Sequence, residues 1–537
     1  MTTASARPAD LAAFRRDVDA ARRPLVGATA DLRTALAAVR TADVTRWVGA
    51  IGRLEDQVEA LEGEDAWIAG WVGDVGEAFR AADGEGATVT TTDDRIAGTV
   101  PRVGDGEVTV RTVDGQTVVD TGDGDDEVTV TERDGRVVID VDGVEHVVDG
   151  ATGITIRSGS GDDTISLPSD VSVRFVLDGG ADDDRIHGSD DQDDIFGSTG
   201  DDTLEAGDGG DVVDGGDGRD YLDGSSGSDL LTGGRGHDTI YGGDGLDDVL
   251  GGQGRDHLDG GTGTDTVLGG RHDDVVSGGD DGDRLGGGAG DDVIYGGTGP
   301  DEVLDLAGDD TAYVQTDDSL LEQGFLHTRR VTVDLSDLPS GSGIRIEGSD
   351  EFVQRVEADL ATLASSPVGQ QMLAAMDDIH EQTKAIAADW PVLGGIAYQG
   401  DTVVIREYDE PNGGASYQDY WLWRTNEISY NPSHDTMYGS TFDPDDVSST
   451  VNWREVPPVV ILQHELAHQF DYGYETSAPG TYGGADDPGV PNDEREAVGL
   501  PLDDGDLADG HPFTYTENGL REEMGLPPRG SYGDTAP

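Results

Sequence analysis

Apolar residues recur along this chain with several periods, and the changes of period divide it into regions. In residues 1–86 the spacing is helical. Leu11, Phe14, Val18 and Ala21 fall on one face, as do Leu32, Leu36 and Val39, and then Trp71, Val75 and Phe79. Gly27 and Thr41-Ala42-Asp43 interrupt the pattern, which predicts a helical hairpin or small bundle. In residues 87–178 apolar positions alternate, as in Thr88–Thr92, Glu107–Thr112 and Val137–Val141, with Asp-Gly turns between them. Short strands are expected there. From residue 179 to 313 the period is nine. Residues 318–537 return to mixed patterns, with helices expected at Asp350–Leu363 and Pro367–Ala387. Strands are expected at Val331–Leu335, Ile344–Glu347, Thr402–Glu407 and Glu427–Tyr430, giving an α+β domain.

The nine-residue unit is G-G-x-G-x-D-x-U-x, with U apolar, and it runs through fifteen copies without slippage. Its sixth position is always Asp: Asp184, Asp193, Asp202, Asp211, Asp220, Asp229, Asp238, Asp247, Asp256, Asp265, Asp274, Asp283, Asp292, Asp301 and Asp310. The eighth position is apolar throughout, from Ile186 to Ala312. Two units make one turn of a parallel β-helix, so the U residues stack into a thin core and the glycines permit turn backbones that a side chain forbids. Turn carbonyls and Asp carboxylates form oxygen cages suited in size and hardness to Ca²⁺. Fifteen copies predict roughly seven turns and about 35 Å of solenoid. Without Ca²⁺ the aspartates repel and one apolar residue per strand cannot offset the ordering entropy, so folding is expected to require the ion. The segment resembles the RTX repeats of exported toxins and enzymes.

Charge sharpens this picture. The chain carries 112 Asp+Glu against 34 Lys+Arg, a formal net charge of −78, and Lys384 is its lone lysine. Nucleic acid and anionic membrane surfaces would repel it, and cations are its natural partners. Cysteine is absent, which leaves metal as the available staple. No apolar stretch approaches the length of a membrane span. Met1–Asp17 lacks the apolar core of a Sec signal peptide, so export by another route is expected.

The candidate chemistry lies at His464-Glu465-Leu466-Ala467-His468, an H-E-x-x-H pattern. Two histidines four apart lie one above the other on a helix and can share one Zn²⁺. The intervening glutamate stands beside the metal as general base. The apolar run Val459–Leu462 would bury this helix, and Pro457-Pro458 sits where it can begin. A metzincin would need Gly at 471 and His at 474; Asp471 and Tyr474 exclude that class. The third ligand is sought among Asp471, Asp493, Glu494 and Glu496. Asp471 on the same helix would stand about two turns from His464. A second helix starting near Asn492 could return Glu494 to the metal, and Glu494 is favoured. Glu427–Pro432 is the expected edge strand for substrate. Arg521 and Arg529 could clamp a substrate carboxylate and Tyr532 could stabilise an oxyanion; the alternative is that these residues cap and staple the C-terminal helix, with Asn518-Gly519 as a turn.

Two further resemblances attach to these residues. Trp71-Val72-Gly73 and Phe79-x-x-x-Asp83 resemble the helical N-terminal modules of WXG/LXG-type toxins, which implies type VII export; Phe79 stands where that export pattern has Tyr. Asn431-Pro432, Val459–Leu462, His464–His468, Asp493–Leu500, Thr516–Arg521, Gly525–Arg529 and Tyr532 resemble the zinc metallopeptidase family of bacterial effectors that includes NleD. That resemblance spans roughly 365–535 and implies injected proteases. It also implies a metal site of two histidines and a carboxylate in the E-x-x-x-V-G-L stretch, matching Glu494.

The expected organisation is therefore a 1–86 export or oligomerisation module, an 87–178 β-rich lead-in, a 179–313 calcium-binding solenoid and a 318–537 zinc metallopeptidase of gluzincin type. The expected function is a secreted or delivered endopeptidase toxin that cuts a target protein, with secretion machinery and an immunity protein as further partners. The alternative is a calcium-stiffened surface or adhesion protein with a structural zinc. Such a site would be closed by four ligands, and the chain offers no cysteine and few converging candidates.

Overall fold

A nine-residue period with one apolar residue per unit dictates a coil of short strands. The structure is a computed structural model. It describes residues 108–537 apart from 114–115, 134, 170, 172, 305–307, 317, 322–327, 336–342, 390–402, 408–413, 421–422, 432–456, 475–496, 499, 501–512, 527 and 530–537. The helices expected in residues 1–86 and the strand at Thr88–Thr92 lie outside the described residues.

Strands alternate between two parallel sheets, so each turn contributes one strand to each. Val212–Asp217 lies in the first sheet and Tyr221–Asp223 in the second. Successive turns stack in phase, with Ile195 opposite Val213 and Leu204 opposite Leu222. The eighth-position residues point inward and form the core; Ile195, Leu204, Leu222 and Ile240 are fully buried. The ladder does not stop at the repeats. Antiparallel strands at Thr109–Val113 and Gln116–Asp120 begin the first sheet, and Glu127–Arg133, Arg136–Val141 and Val144–Val148 begin the second. At the other end Ser319–Leu321 and Arg329–Thr332 add final rungs. The strand expected at Val331–Leu335 is thus a solenoid rung, observed at Arg329–Thr332.

The glycines are required by proximity as well as by conformation. Gly234 and Gly236 have φ of +110° and +137°. A Cβ on either would collide with the carbonyl oxygen of Gly216 or Gly218 in the turn before. Ser198 and His272 occupy glycine positions of their units and keep positive φ, +82° and +76°.

The C-terminal region contains helices and strands. Helix α1, Asp350–Ser365, starts at Ser349, whose hydroxyl accepts from the Phe352 amide, and ends at Ser366 in extended conformation. Helix α2, Pro367–Asp389, begins on a proline, which lacks only an N–H the first turn cannot use. Helix α3 is Pro458–Tyr474 and helix α4 is Glu517–Glu523. A four-stranded sheet has the order Ile344–Glu347, Val403–Glu407, Trp423–Tyr430, Gly414–Tyr420. The first three run parallel and the last is antiparallel. This corrects the expected edge strand. Glu427 pairs with both Val404 and Ser416, so Trp423–Tyr430 is interior, and Gly414–Tyr420 is the edge among the described residues. Both strands pack on α3. The core of this region is shared with the solenoid: Val275, Val293, Tyr295 and Tyr313 join Met372, Leu466 and Phe470 in one buried cluster.

Candidate active site and calcium rungs

Helix α3 is apolar on most of its circumference, and α1, α2, α4 and two strands surround it. Val459, Val460, Leu462, Leu466 and Ala467 are fully buried and fix its position. That burial carries the polar residues of the helix inside with it. His464, Glu465 and His468 are 3%, 6% and 6% exposed, values low enough that each polar atom needs a partner or a ligand. The imidazoles of His464 and His468 lie with ring centroids 4.9 Å apart and nearly perpendicular. Oε2 of Glu465 is buried and has no hydrogen-bond partner in the structure.

Glu517, at the first turn of α4, explains the orientation of His464. Its Oε2 lies 3.1 Å from His464 Nδ1. That contact fixes Nδ1 as the protonated nitrogen and leaves Nε2 as the lone-pair donor. Glu517 is itself held: Arg521 Nε donates to its Oε1 at 2.7 Å and Arg529 Nη1 to its Oε2 at 3.1 Å. Burial alone would raise the Glu517 carboxyl. The Arg529 and Arg521 guanidiniums and the His464 imidazole outweigh it and hold the group well below the usual carboxylate range. Burial lowers the Arg521 guanidinium, against the opposing pull of Glu517. Asn518 completes the latch by accepting from the Arg529 amide at 2.7 Å and donating to the Arg529 carbonyl at 3.0 Å.

These contacts bear on the two readings of this segment. Arg521 and Arg529 are 0% and 2% exposed, and each donates to Glu517. Asn518-Gly519 lies inside α4 instead of forming a turn, because Thr516 caps the helix by accepting from the Gly519 amide. Tyr532 lies outside the described residues. Glu517 itself was not anticipated; the available signal was a Thr N-cap followed by Glu and Arg four apart.

The donor set fits Zn²⁺: two buried imidazoles on one helix face, one oriented by a carboxylate, beside a glutamate oxygen with no other partner. Among the described residues no third His, Asp, Glu or Cys joins them. Asp493, Glu494 and Glu496, and the side chain of Asp471, lie outside the described residues. Ala497, soon after Glu494, is helical and buried in the same cluster as Leu466.

The repeats present a second donor set, built from the sixth-position aspartates. In all but Asp193, whose Oδ1 accepts the Phe175 amide, Oδ1 accepts the amide of an Asp one turn earlier, as Asp220 does from Asp202 at 3.0 Å and Asp229 from Asp211 at 2.7 Å. The other oxygen, Oδ2, is buried without a hydrogen-bond partner in Asp184, Asp202, Asp220 and Asp256, and in Asp211, Asp229, Asp247 and Asp265. A column of orphaned carboxylate oxygens flanked by turn carbonyls suits a hard cation. Burial pushes Asp184 up to about 8 and Asp220 up to about 9, with like charge from neighbouring aspartates adding to it. These carboxyls are poor anions unless a cation balances them. Asp193 departs from the pattern, because its Oδ2 accepts from both the amide and the hydroxyl of Ser189, each at 2.8 Å.

A stacked β-solenoid with orphaned aspartate oxygens, fused to a domain with paired helix histidines, defines a calcium-binding repeat protein with a hydrolase-like C-terminal domain. Comparison with known families gives the particular classes. Residues 340–532 match the model of the M91 peptidase family, described as effector protein. Matches to the RTX calcium-binding nonapeptide repeat fall at 176–204, 187–222, 196–231, 223–258, 250–285 and 286–318. The chain therefore carries RTX calcium-binding repeats and, C-terminal to them, an M91 peptidase effector domain. No curated protein and no solved structure matches it. No helix among the described residues is long and apolar enough to cross a membrane.

Proposed function

We propose that this chain is a zinc-dependent endopeptidase effector, secreted or delivered by a non-Sec route, that hydrolyses peptide bonds in a target protein. The observation that carries the reading is Glu465: a buried carboxylate oxygen with no hydrogen-bond partner, on the helix that carries two histidines with ring centroids 4.9 Å apart, within a segment matching a peptidase family. His464 and His468 hold the metal through Nε2, with Glu494 as third ligand. When bound, zinc supplies Lewis acidity toward a carbonyl oxygen and makes a water more acidic. Glu465 takes the proton of the attacking water on Oε2 and returns it to the leaving nitrogen. Glu517 keeps the His464 ring in place and its Nδ1 protonated. The side of Gly414–Tyr420 that pairs with no strand among the described residues aligns the substrate backbone, since α3 packs beside this strand and an extended chain can pair with its outer amides and carbonyls. Burial of His464 and His468 behind packed helices supports a preorganised site.

The N-terminal region is assigned to export machinery and an immunity protein to the producer. The −78 net charge argues against nucleic acid as a target.

The test is peptide-library cleavage by the full chain with Ca²⁺ and Zn²⁺, run beside Glu465→Gln. Loss of cleavage by at least about a hundredfold with zinc content unchanged is expected. A Glu465→Gln variant that cuts at the wild-type rate removes the proposed general base.

A further inference from the structure

We propose that the folded rungs of the solenoid form part of the peptidase itself, so that calcium loading of the repeats assembles the active site. This rests on reading α3 as the active-site helix and the repeat aspartates as cation ligands.

The joint is a ruler. Helix α1 lies along the second sheet and contacts outward residues of successive rungs from one of its faces. Arg355 Nε pairs with Asp223 at 2.8 Å, and its Nη1 donates to Tyr221 Oη at 3.1 Å. Asp359 accepts from Tyr241 Oη at 3.0 Å. Thr362 donates to Asp259 at 2.8 Å and shares a 3.2 Å contact with Ser277 Oγ. Asp223, Tyr241 and Asp259 are ninth-position residues of successive turns. From Arg355 to Thr362 the helix advances about 10.5 Å at 1.5 Å per residue. Two turns of solenoid advance about 9.6 Å at ~4.8 Å per strand. The contacts can therefore all form only when the rungs are stacked at β-spacing.

The joint leads to the active site by two routes. Asp359 also accepts from Tyr430 Oη at 2.7 Å, and Tyr430 ends the interior strand that pairs with the edge strand beside α3. Farther along, Tyr295 donates to Glu523 of α4 at 3.1 Å, and Tyr295 and Tyr313 share a buried cluster with Leu466 and Phe470 of α3. Without the rungs, α1 loses its polar partners on the solenoid, Asp359 loses the Tyr241 hydroxyl, and α3 loses one wall of its core. Without calcium the rungs hold buried, unbalanced carboxylate oxygens such as those of Asp220 and Asp256, so they are not expected to stay stacked.

The experiment is hydrogen–deuterium exchange on the full chain, stripped of divalent ions on a scavenging resin and resupplied with micromolar zinc. Calcium is then titrated from none into the millimolar range. The expected result is that amides of 458–474 become protected at the same calcium midpoint as the rungs under α1. Protection of 458–474 without calcium, while the rungs exchange freely, overturns the proposal. Asp359→Ala leaves two buried hydroxyls without their acceptor. It should speed exchange in 458–474 roughly tenfold or more. Unchanged exchange there overturns the coupling. Asp220→Asn together with Asp256→Asn weakens the rungs from the other side and must raise both midpoints together; a shift confined to the rungs also overturns it. Exchange reads structure, not cleavage. Coupled protection in a protein that cuts no peptide would refute the peptidase reading and leave the coupling standing.

Discussion

Replacing Glu517 tests whether the carboxylate behind His464 belongs to the metal site. Its side chain is fully buried and receives three groups: His464 Nδ1 and the guanidiniums of Arg521 and Arg529. Glu517→Ala leaves two cations with little solvent access and no counter-charge from this position. Breaking a buried pair from one side costs about 3–5 kcal/mol. Here one deletion strips two arginines, so the C-terminal domain should lose a large part of its stability. Glu517→Gln is the sharper probe. It keeps the volume and one oxygen acceptor but removes the charge that stabilises the Nδ1–H form of His464. Losing such an outer partner typically lowers metal affinity by about 10–100-fold. Zinc affinity of the calcium-loaded full chain, measured by competition with a chromogenic chelator, should fall by that factor for Glu517→Gln, with exchange protection of 458–474 largely retained. A zinc affinity within about twofold of wild type would refute the assignment, because the 3.1 Å contact would then do nothing for the ligand.

Three other outcomes are expected. His272→Gly relieves a positive φ of +76° at a position that other units give to glycine, and should raise the urea midpoint of the calcium-loaded chain by the equivalent of about 1 kcal/mol; no gain would mean the strain is already relieved by neighbours. Ser189→Gly removes the hydroxyl that occupies Asp193 Oδ2 and should add one calcium per chain by titration calorimetry; unchanged stoichiometry would show that Asp193 either binds already or cannot bind. Burial pushes Asp359 up to about 7 from 3.8, with Asp259 adding to it and the Tyr430 and Tyr241 hydroxyls opposing it. Folding therefore takes up a proton between these values, so this group's contribution is present at low pH and is lost as pH rises through 7. At saturating calcium, Asp359→Asn should flatten the wild-type fall in denaturant midpoint between about pH 4 and pH 7, and a slope equal to wild type would count against it.

Much of the solenoid could be read from the sequence because its geometry is local. A unit with glycine, aspartate and one apolar residue in fixed phase determines the strand, the turn and the register, so Ile195 falls opposite Val213 without further information. The helices Asp350–Ser365 and Pro367–Asp389 were legible for a similar reason, being bounded by Ser and Pro signals with apolar faces between. What could not be read depends on partners distant in sequence. Arg521 and Arg529 read as substrate clamps or as staples of the C-terminal helix, and the sequence does not say that both reach Glu517. The pattern Glu427–Tyr430 has the look of an edge strand, yet Gly414–Tyr420, with less β-branched content, takes the edge by folding back as a hairpin. Tyr241, Tyr295 and Tyr313 occupy ninth positions, which face outward from the solenoid, and the sequence does not say that α1 and α4 cover them.

The polar contacts that α1 makes on that face, beside the apolar cluster of Val275, Val293, Tyr295 and Tyr313, have a physical consequence. A solenoid that must stay soluble while unfolded cannot display a continuous apolar stripe, which would associate in any conformation. Hydroxyls, carboxylates and one arginine remain hydrated when the chain is extended, and they gain partners only when rung spacing and helix pitch coincide. Removed from water, the same groups are costly if any pair fails, since a partly satisfied network is worse than none. The Arg355–Asp223 pair and the Tyr241–Asp359–Tyr430 bridge are therefore poor at holding a loosely stacked solenoid and good at selecting a correctly stacked one. An interface of this kind discriminates between the calcium-free and calcium-loaded chain more sharply than an apolar interface of equal area, because misalignment by part of a rung leaves buried charge unpaired instead of merely shifting a greasy contact.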